Sequence, residues 1–115
     1  MNNNFLKVLL ADDDEDDRFL FGEAIKQLSI KTKLSLFRDG QELMDYLFLN
    51  EIERPNLLFL DLNMPVKNGM QCLREIRQNL AFNDLAIAIY STSSTEQDIE
   101  DTFIYGANIY INKPS

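Results

Sequence analysis

Five short apolar runs, each cut off by a polar or charged residue, alternate along this chain with longer stretches in which apolar residues recur at helical spacing. That alternation constrains the fold more than any other feature, because it suits parallel βαβ units and neither a helical bundle nor a β-sandwich. The runs are Phe5–Ala11 (FLKVLLA), Lys33–Arg38 (KLSLFR), Asn56–Leu60 (NLLFL), Leu85–Tyr90 (LAIAIY) and Ile109–Ile111 (IYI). NLLFL, apolar almost throughout, reads as a central strand, and KLSLFR alternates like a strand nearer an edge. Between the runs, helices are expected with inward stripes at Phe21, Ala24/Ile25 and Leu28, then Leu43, Met44 and Leu47, then Met70, Leu73, Ile76 and Leu80, and finally Ile99 and Phe103. Asn68-Gly69 reads as a turn or helix start, and Ser94 or Thr95, with Gln97 or Asp98 three residues on, as a capping box. Gly106 can close the last helix. The expectation is one α/β domain over residues 1–115 with five strands and four helices.

Charge narrows the chemistry. There are 11 Lys and Arg against 19 Asp and Glu, a net charge of −8, and no histidine. Without His the chain cannot build a Ser-His-Asp or Cys-His centre, a His-rich zinc site or an imidazole base. The acidic balance argues against nucleic acid and anionic membrane as partners. Six acids are consecutive, Asp12 to Asp17, so most of the net charge is one local feature. The lone Cys72 reads as a small buried hydrophobe. The start MNNNFLKVLLADD lacks the pattern of a secretory signal, and no apolar run is long enough to span a bilayer, so a cytoplasmic setting is expected.

In an open parallel sheet the loops at the carboxyl ends of the strands meet at the ligand site. Four of the five strands here end in polar groups: Asp12-Asp13, Asp61, Ser91-Thr92 and Lys113. If these strands are neighbours, carboxylates, a hydroxyl and one ammonium share a pocket. Crowded carboxylates repel, and a hard cation such as Mg²⁺, or Mn²⁺, resolves the repulsion.

These residues resemble the receiver domain of two-component response regulators, in particular the single-domain chemotaxis regulators. The resemblance is carried by LLADDD after the first strand, FLDLNMPVKNG after the third, IYSTSS after the fourth and the closing YGANIYINKP. Thirty positions separate Asp61 from Ser91 and 22 separate Ser91 from Lys113, which suits the family. The resemblance implies a flavodoxin-like, doubly wound sheet of order 2-1-3-4-5. It implies that Asp61 accepts a phosphoryl group from a histidine kinase or a histidine phosphotransfer protein. It further implies that Asp13 ligates Mg²⁺, that Asp12 holds a metal-bound water, and that Asn63 offers its backbone carbonyl. Lys113 would contact the phosphoryl group, Ser91 would be the switch hydroxyl and Tyr110 the switch aromatic. The output would be altered binding of a protein target that the sequence does not identify. Such a domain is not a turnover enzyme, although it catalyses its own phosphorylation and a slow hydrolysis.

Other readings compete at particular residues. Asp14 to Asp17 read as the charged start of a helix. Asp12, Asp14, Asp16 and Glu23 match positions 1, 3, 5 and 12 of an EF-hand loop, but Asp17 stands where that loop needs Gly. Ser91, Thr92, Ser93 and Ser94 could exchange roles if the strand register slipped, and Tyr110 could be an ordinary strand aromatic. An aspartate-nucleophile phosphatase would carry a second acid two residues after the nucleophile, where Asn63 stands. A pseudo-receiver that binds partners without chemistry would not need Asp13, Asp61 and Lys113 together. Receivers add a fifth helix after the Lys-Pro loop, and only Ser115 follows Pro114. A trimmed domain lacking that helix, or a partner subunit covering the sheet face, is therefore expected.

Overall fold

A computed structural model describes residues 5–49, 53–93 and 95–114. The strands are β1 (Leu6–Ala11), β2 (Thr32–Phe37), β3 (Leu57–Leu60), β4 (Ala86–Ser91) and β5 (Ile109–Asn112). Four α-helices lie between them in order: α1 (Glu15–Lys26), α2 (Gly40–Leu47), α3 (Gly69–Gln78) and α4 (Glu96–Ile104), with a 3₁₀ turn at Leu80–Phe82. The sheet order is β2-β1-β3-β4-β5, as the resemblance implied. Every neighbouring pair is parallel, with Val8 opposite Leu57 and Leu57 opposite Ala86. β3 therefore lies in the centre and KLSLF at an edge.

Both faces of the sheet carry apolar side chains, because successive residues of a strand point to opposite sides. On one face Leu9, Leu58, Leu60, Ile87 and Ile89 form a continuous core with Leu43 and Leu47 of α2 and Leu73 and Ile76 of α3. On the other, Phe21 of α1 meets Phe59 edge-on, ring centroids 4.8 Å apart, and lies 6.2 Å from the Tyr90 ring. No residue of α1 is buried, while Ile109 and Ile111 on β5 are exposed.

Each helix begins where a side chain satisfies free backbone N–H groups. Asp14 caps α1 by accepting from the N–H groups of Asp16 and Asp17, and Asp39 caps α2 by accepting from Glu42. Asn68 and Gln71 form a reciprocal capping box on α3. At α4 the cap is Thr95, which accepts from the Asp98 N–H; the alternative, Ser94, lies outside the described residues. Gly106, with φ of 108°, follows the α4 C-cap and closes that helix. Arg77 of α3 donates to the carbonyls of Phe82 and Gly106 and to Asn108 Oδ1, which ties α3 to the chain entering β5.

Three expected inward positions are corrected. Leu28 lies past the end of α1 and is exposed, because the helix stops at Lys26. Leu80 falls in the 3₁₀ turn, where the 3.6-residue phase of α3 no longer applies, and it too is exposed. On α4 the buried residue is Thr102, and Phe103 faces outward. Thr102 fits inside because its hydroxyl donates to the Ile99 carbonyl.

The turn after β3 stores strain. Val66 has φ of 67°, and the Lys67 N–H donates to the Pro65 carbonyl at 2.7 Å, closing a γ-turn around a β-branched residue. Val66 is 79% exposed, so no packing requires valine there. Val66→Gly is expected to raise the unfolding free energy by about 1 kcal/mol, since glycine has no Cβ to clash at this positive φ. Urea denaturation checks it, and an unchanged midpoint would contradict the strain.

Candidate functional site

β1 and β3 are neighbours, so the residues that follow them emerge side by side at the carboxyl edge. Asp12 N–H donates to the Phe37 carbonyl and Asp61 N–H to the Ala11 carbonyl, continuing the ladder one step beyond the strands. Their carboxylates are thus set by the sheet itself. Asp12 and Asp61 are buried and Asp13 is exposed. Gly69 lets the chain fold back tightly beneath Asp61: a Cβ at that position would sit 2.1 Å from the Asp61 carbonyl oxygen. Any side chain at position 69 would push the Asp61 backbone out of place.

Lys113 follows β5 and reaches back to this cluster. Its ammonium lies 2.7 Å from Asp12 Oδ2, 2.9 Å from Asp17 Oδ2 and 3.1 Å from Asp61 Oδ2, with the side chain only 6% exposed. The Tyr90 ring forms another wall, its centroid 5.5 Å from the ammonium. Asp61 Oδ1 accepts from the Asn63 N–H at 3.2 Å, and Asp12 Oδ1 from the Asp14 N–H at 2.9 Å. Arg18 donates to the Asp12 carbonyl.

Burial pushes the Asp61 carboxyl above the usual carboxylate range; Lys113 and the Asn63 N–H oppose that rise, and the nearby Asp12 adds to it. For Lys113 burial disfavours the charge, but contacts with Asp12, Asp17 and Asp61 outweigh it and hold the group above the ordinary lysine value. Cys72 is buried, and burial pushes its thiol up to about 11, so it is the inert hydrophobe the sequence suggested.

Asp12, Asp13 and Asp61 each offer an oxygen such that the three lie within 4.8 Å of one another. Asp12 Oδ2 is buried with no aligned hydrogen-bond donor among the described residues, although Lys113 is near. Three convergent hard oxygens fit the donor set of a divalent cation. A divalent cation that binds only the native site should raise the melting temperature, by the equivalent of about 2.7 kcal/mol at a hundredfold excess over Kd. Titration with Mg²⁺ or Mn²⁺ checks this, and Asp13→Asn, which removes the exposed carboxylate of the trio, should lose most of the shift. A melting temperature indifferent to both ions would rule the cation site out.

The other expected residues lie close by. Ser91 ends β4 fully buried, its Oγ accepting from the Ser93 N–H, while its carbonyl accepts from the Lys113 N–H. Tyr110 on β5 is half-buried against the core, and its hydroxyl donates to the Ser93 carbonyl. Ser93 in turn donates its hydroxyl to Asp98. Asn63 is exposed beside Asp61. The EF-hand reading fails, since Asp14 is a helix cap.

One residue has a role the sequence does not reveal. Asp17, grouped with the charged start of α1, also faces the site and holds Lys113. Its position four residues after Asp13, on the first helical turn, was the available signal, and the surrounding run of acids hid it.

Comparison with known proteins agrees with this fold. The sequence model of the response regulator receiver domain matches residues 8–115. The response regulator Rcp1 of Synechocystis sp. is 36% identical over 110 residues, covering 92% of this chain and 75% of that protein. A chemotaxis protein CheY homologue of Campylobacter jejuni is 28% identical, over 95% of this chain and 82% of its own length. Among solved structures, the Mn²⁺-bound form of Rcp1 superposes with a TM-score of 0.89 at 33% identity, covering 94% of this chain and 81% of that one. The phosphorylated cyanobacterial phytochrome response regulator RcpA gives 0.91 at 32% identity, over 96% of this chain and 82% of its own.

Proposed function

Because this chain belongs to the response regulator receiver domain family and is a phosphoacceptor signalling module, we propose that Asp61 is its phosphoacceptor and that a histidine kinase or histidine phosphotransfer protein is its donor. The observation that carries the assignment is the buried Asp61 carboxylate at the end of the central strand, beside Lys113 and within the carboxylate trio. A carboxylate oxygen of Asp61 forms a new P–O bond as the P–N bond of the donor phosphohistidine breaks. The imidazole nitrogen keeps that electron pair and takes up a proton. Because the Asn63 N–H and Lys113 fix the carboxylate, little reorganisation accompanies the attack. Lys113 offers donors to phosphoryl oxygens as their charge develops.

Asp12, Asp13, Asp61 and the Asn63 carbonyl would hold Mg²⁺, or Mn²⁺, with Asp12 acting through a water. Bound there, the ion supplies positive charge to the phosphoryl oxygens and offsets the crowded carboxylates. Ser91 donates its hydroxyl to the phosphoryl group and draws the loop after β4 inward. Tyr110 follows that loop, to which its hydroxyl is already tied through the Ser93 carbonyl. The rearranged loop and ring change the surface offered to a protein target, with acceptance and slow hydrolysis both self-catalysed. A cytoplasmic setting fits a kinase-fed acceptor, and among the described residues no helix is long and apolar enough to cross a membrane.

The test is intact-protein mass spectrometry after incubation with Mg²⁺ and a small acyl phosphate. One added phosphoryl group, absent when the ion is chelated, supports the reading. No addition at any ion concentration would refute it, and multiple turnover of a phosphate monoester would favour the phosphatase alternative.

A further inference from the structure

The Lys113 ammonium has three N–H donors, and in this structure three carboxylates surround it: Asp12 at 2.7 Å, Asp17 at 2.9 Å and Asp61 at 3.1 Å. Two of these belong to the trio that could hold a cation, and their oxygens have that second call on them. Asp17 does not belong to it. It comes from the first turn of α1, its own N–H held by the Asp14 cap at 3.1 Å, and its side chain is 34% exposed where Asp12 and Asp61 are nearly sealed. An anion fixed there keeps its hold on Lys113 whatever occupies the trio. It also stands against any further negative charge brought to Asp61.

We propose that Asp17 is a positioning residue that competes with the phosphoryl group for the Lys113 ammonium, and so sets how tightly the site engages phosphate. The inference rests on Asp61 being the acceptor. A phosphoryl oxygen beside Asp61 needs a donor from Lys113, and with Asp17 and Asp61 accepting two of the three and Asp12 paired to it by charge at 2.7 Å, the ammonium is shared between a fixed acid and the incoming group. Removing the charge of Asp17 frees a donor and removes a repulsion across a short, largely dry distance. The neighbouring Asp16 is exposed and makes no contact with Lys113, so its charge is screened by solvent and serves as the comparison.

The experiment titrates beryllofluoride, a tetrahedral phosphoryl mimic, into the Mg²⁺-loaded protein and follows the bound fluorides by ¹⁹F NMR. Asp17→Asn is expected to bind it roughly five- to tenfold more tightly than the unmodified chain, and Asp16→Asn to stay within about twofold. A second readout needs neither ion nor mimic: the ¹⁵N-detected Lys113 ammonium of the metal-free protein should exchange its protons faster with solvent in Asp17→Asn. A purely structural role in starting α1 would lower the melting temperature and move neither readout. Unchanged or weaker binding by Asp17→Asn, or equal tightening by Asp16→Asn, would overturn the inference while leaving the acceptor assignment intact. Failure of the unmodified chain to bind beryllofluoride at all would overturn both.

Discussion

Asp61→Asn takes up no phosphoryl group from a small acyl phosphate under conditions that fully label the unmodified protein. The amide is nearly the same size and its oxygen can still accept from the Asn63 N–H, so the fold should survive the change even though the amide NH₂ cannot accept from Lys113 as the second carboxylate oxygen does. What it lacks is a charged oxygen able to form an acyl phosphate. Of the nearby groups, Asp12 is sealed at the end of a different strand and the Ser91 hydroxyl oxygen accepts a hydrogen bond from its own loop, so neither replaces the lost carboxylate. The expected loss exceeds about a thousandfold, the scale on which nucleophile deletions act. Intact mass spectrometry at equal protein and Mg²⁺ measures it. Labelling of the variant at a comparable rate would contradict the assignment.

Lys113→Met destabilises the metal-free protein by about 3–5 kcal/mol, since it leaves Asp12, Asp17 and Asp61 without the cation that three sides of the pocket were built around. Methionine fills much of the stem's volume, so the loss reads as charge and not as a cavity. A divalent ion should restore part of the difference, and the melting-temperature gain on adding Mg²⁺ should be larger in the variant than in the unmodified chain. The pH dependence has a definite sign. Because the folded pKa of Lys113 lies above the ordinary value of 10.5, its contribution is complete below that value and is lost as pH rises through the folded pKa. Chemical denaturation with and without Mg²⁺ reads all of this; equal stability of the two proteins in the metal-free state would contradict the ion cluster.

How much of this could be read from the chain depends on which interactions are local. The strands were legible because each apolar run is closed by a residue that cannot continue it, and one sheet edge fell where polarity rose, in KLSLF, whereas the other edge, β5, is the apolar run IYI and carries no such mark. The helix starts were legible for the same local reason: Asp14, Asp39, Asn68 and Thr95 satisfy N–H groups two or three residues away. Leu28 and Leu80 were misplaced because periodicity says which face a residue occupies only while the helix lasts, and both lie just past an end. Thr102 displaced the expected apolar residue through a hydrogen bond to Ile99 that a hydrophobicity pattern cannot register.

At the site, Asp12, Asp13, Asp61 and Lys113 converge as the strand-end argument required. Asp17 ends no strand, so the strand ends do not point to it. A carboxylate on the first turn of α1 enters the pocket only through the angle at which that helix leaves β1, and a run of six acids masks its spacing of four from Asp13. The contact spans 96 residues of sequence, and only the folded chain contains it.

Trapping the phosphoryl group shows whether it resides on Asp61. Borohydride reduces an acyl phosphate to the alcohol, converting a modified aspartate to homoserine, and peptide mass spectrometry locates the change. After incubation with Mg²⁺ and acyl phosphate, the account predicts homoserine at position 61 and at no other aspartate. Reduction at Asp12, Asp13 or Asp17, or phosphate retained on Ser91 or Ser93, would contradict it.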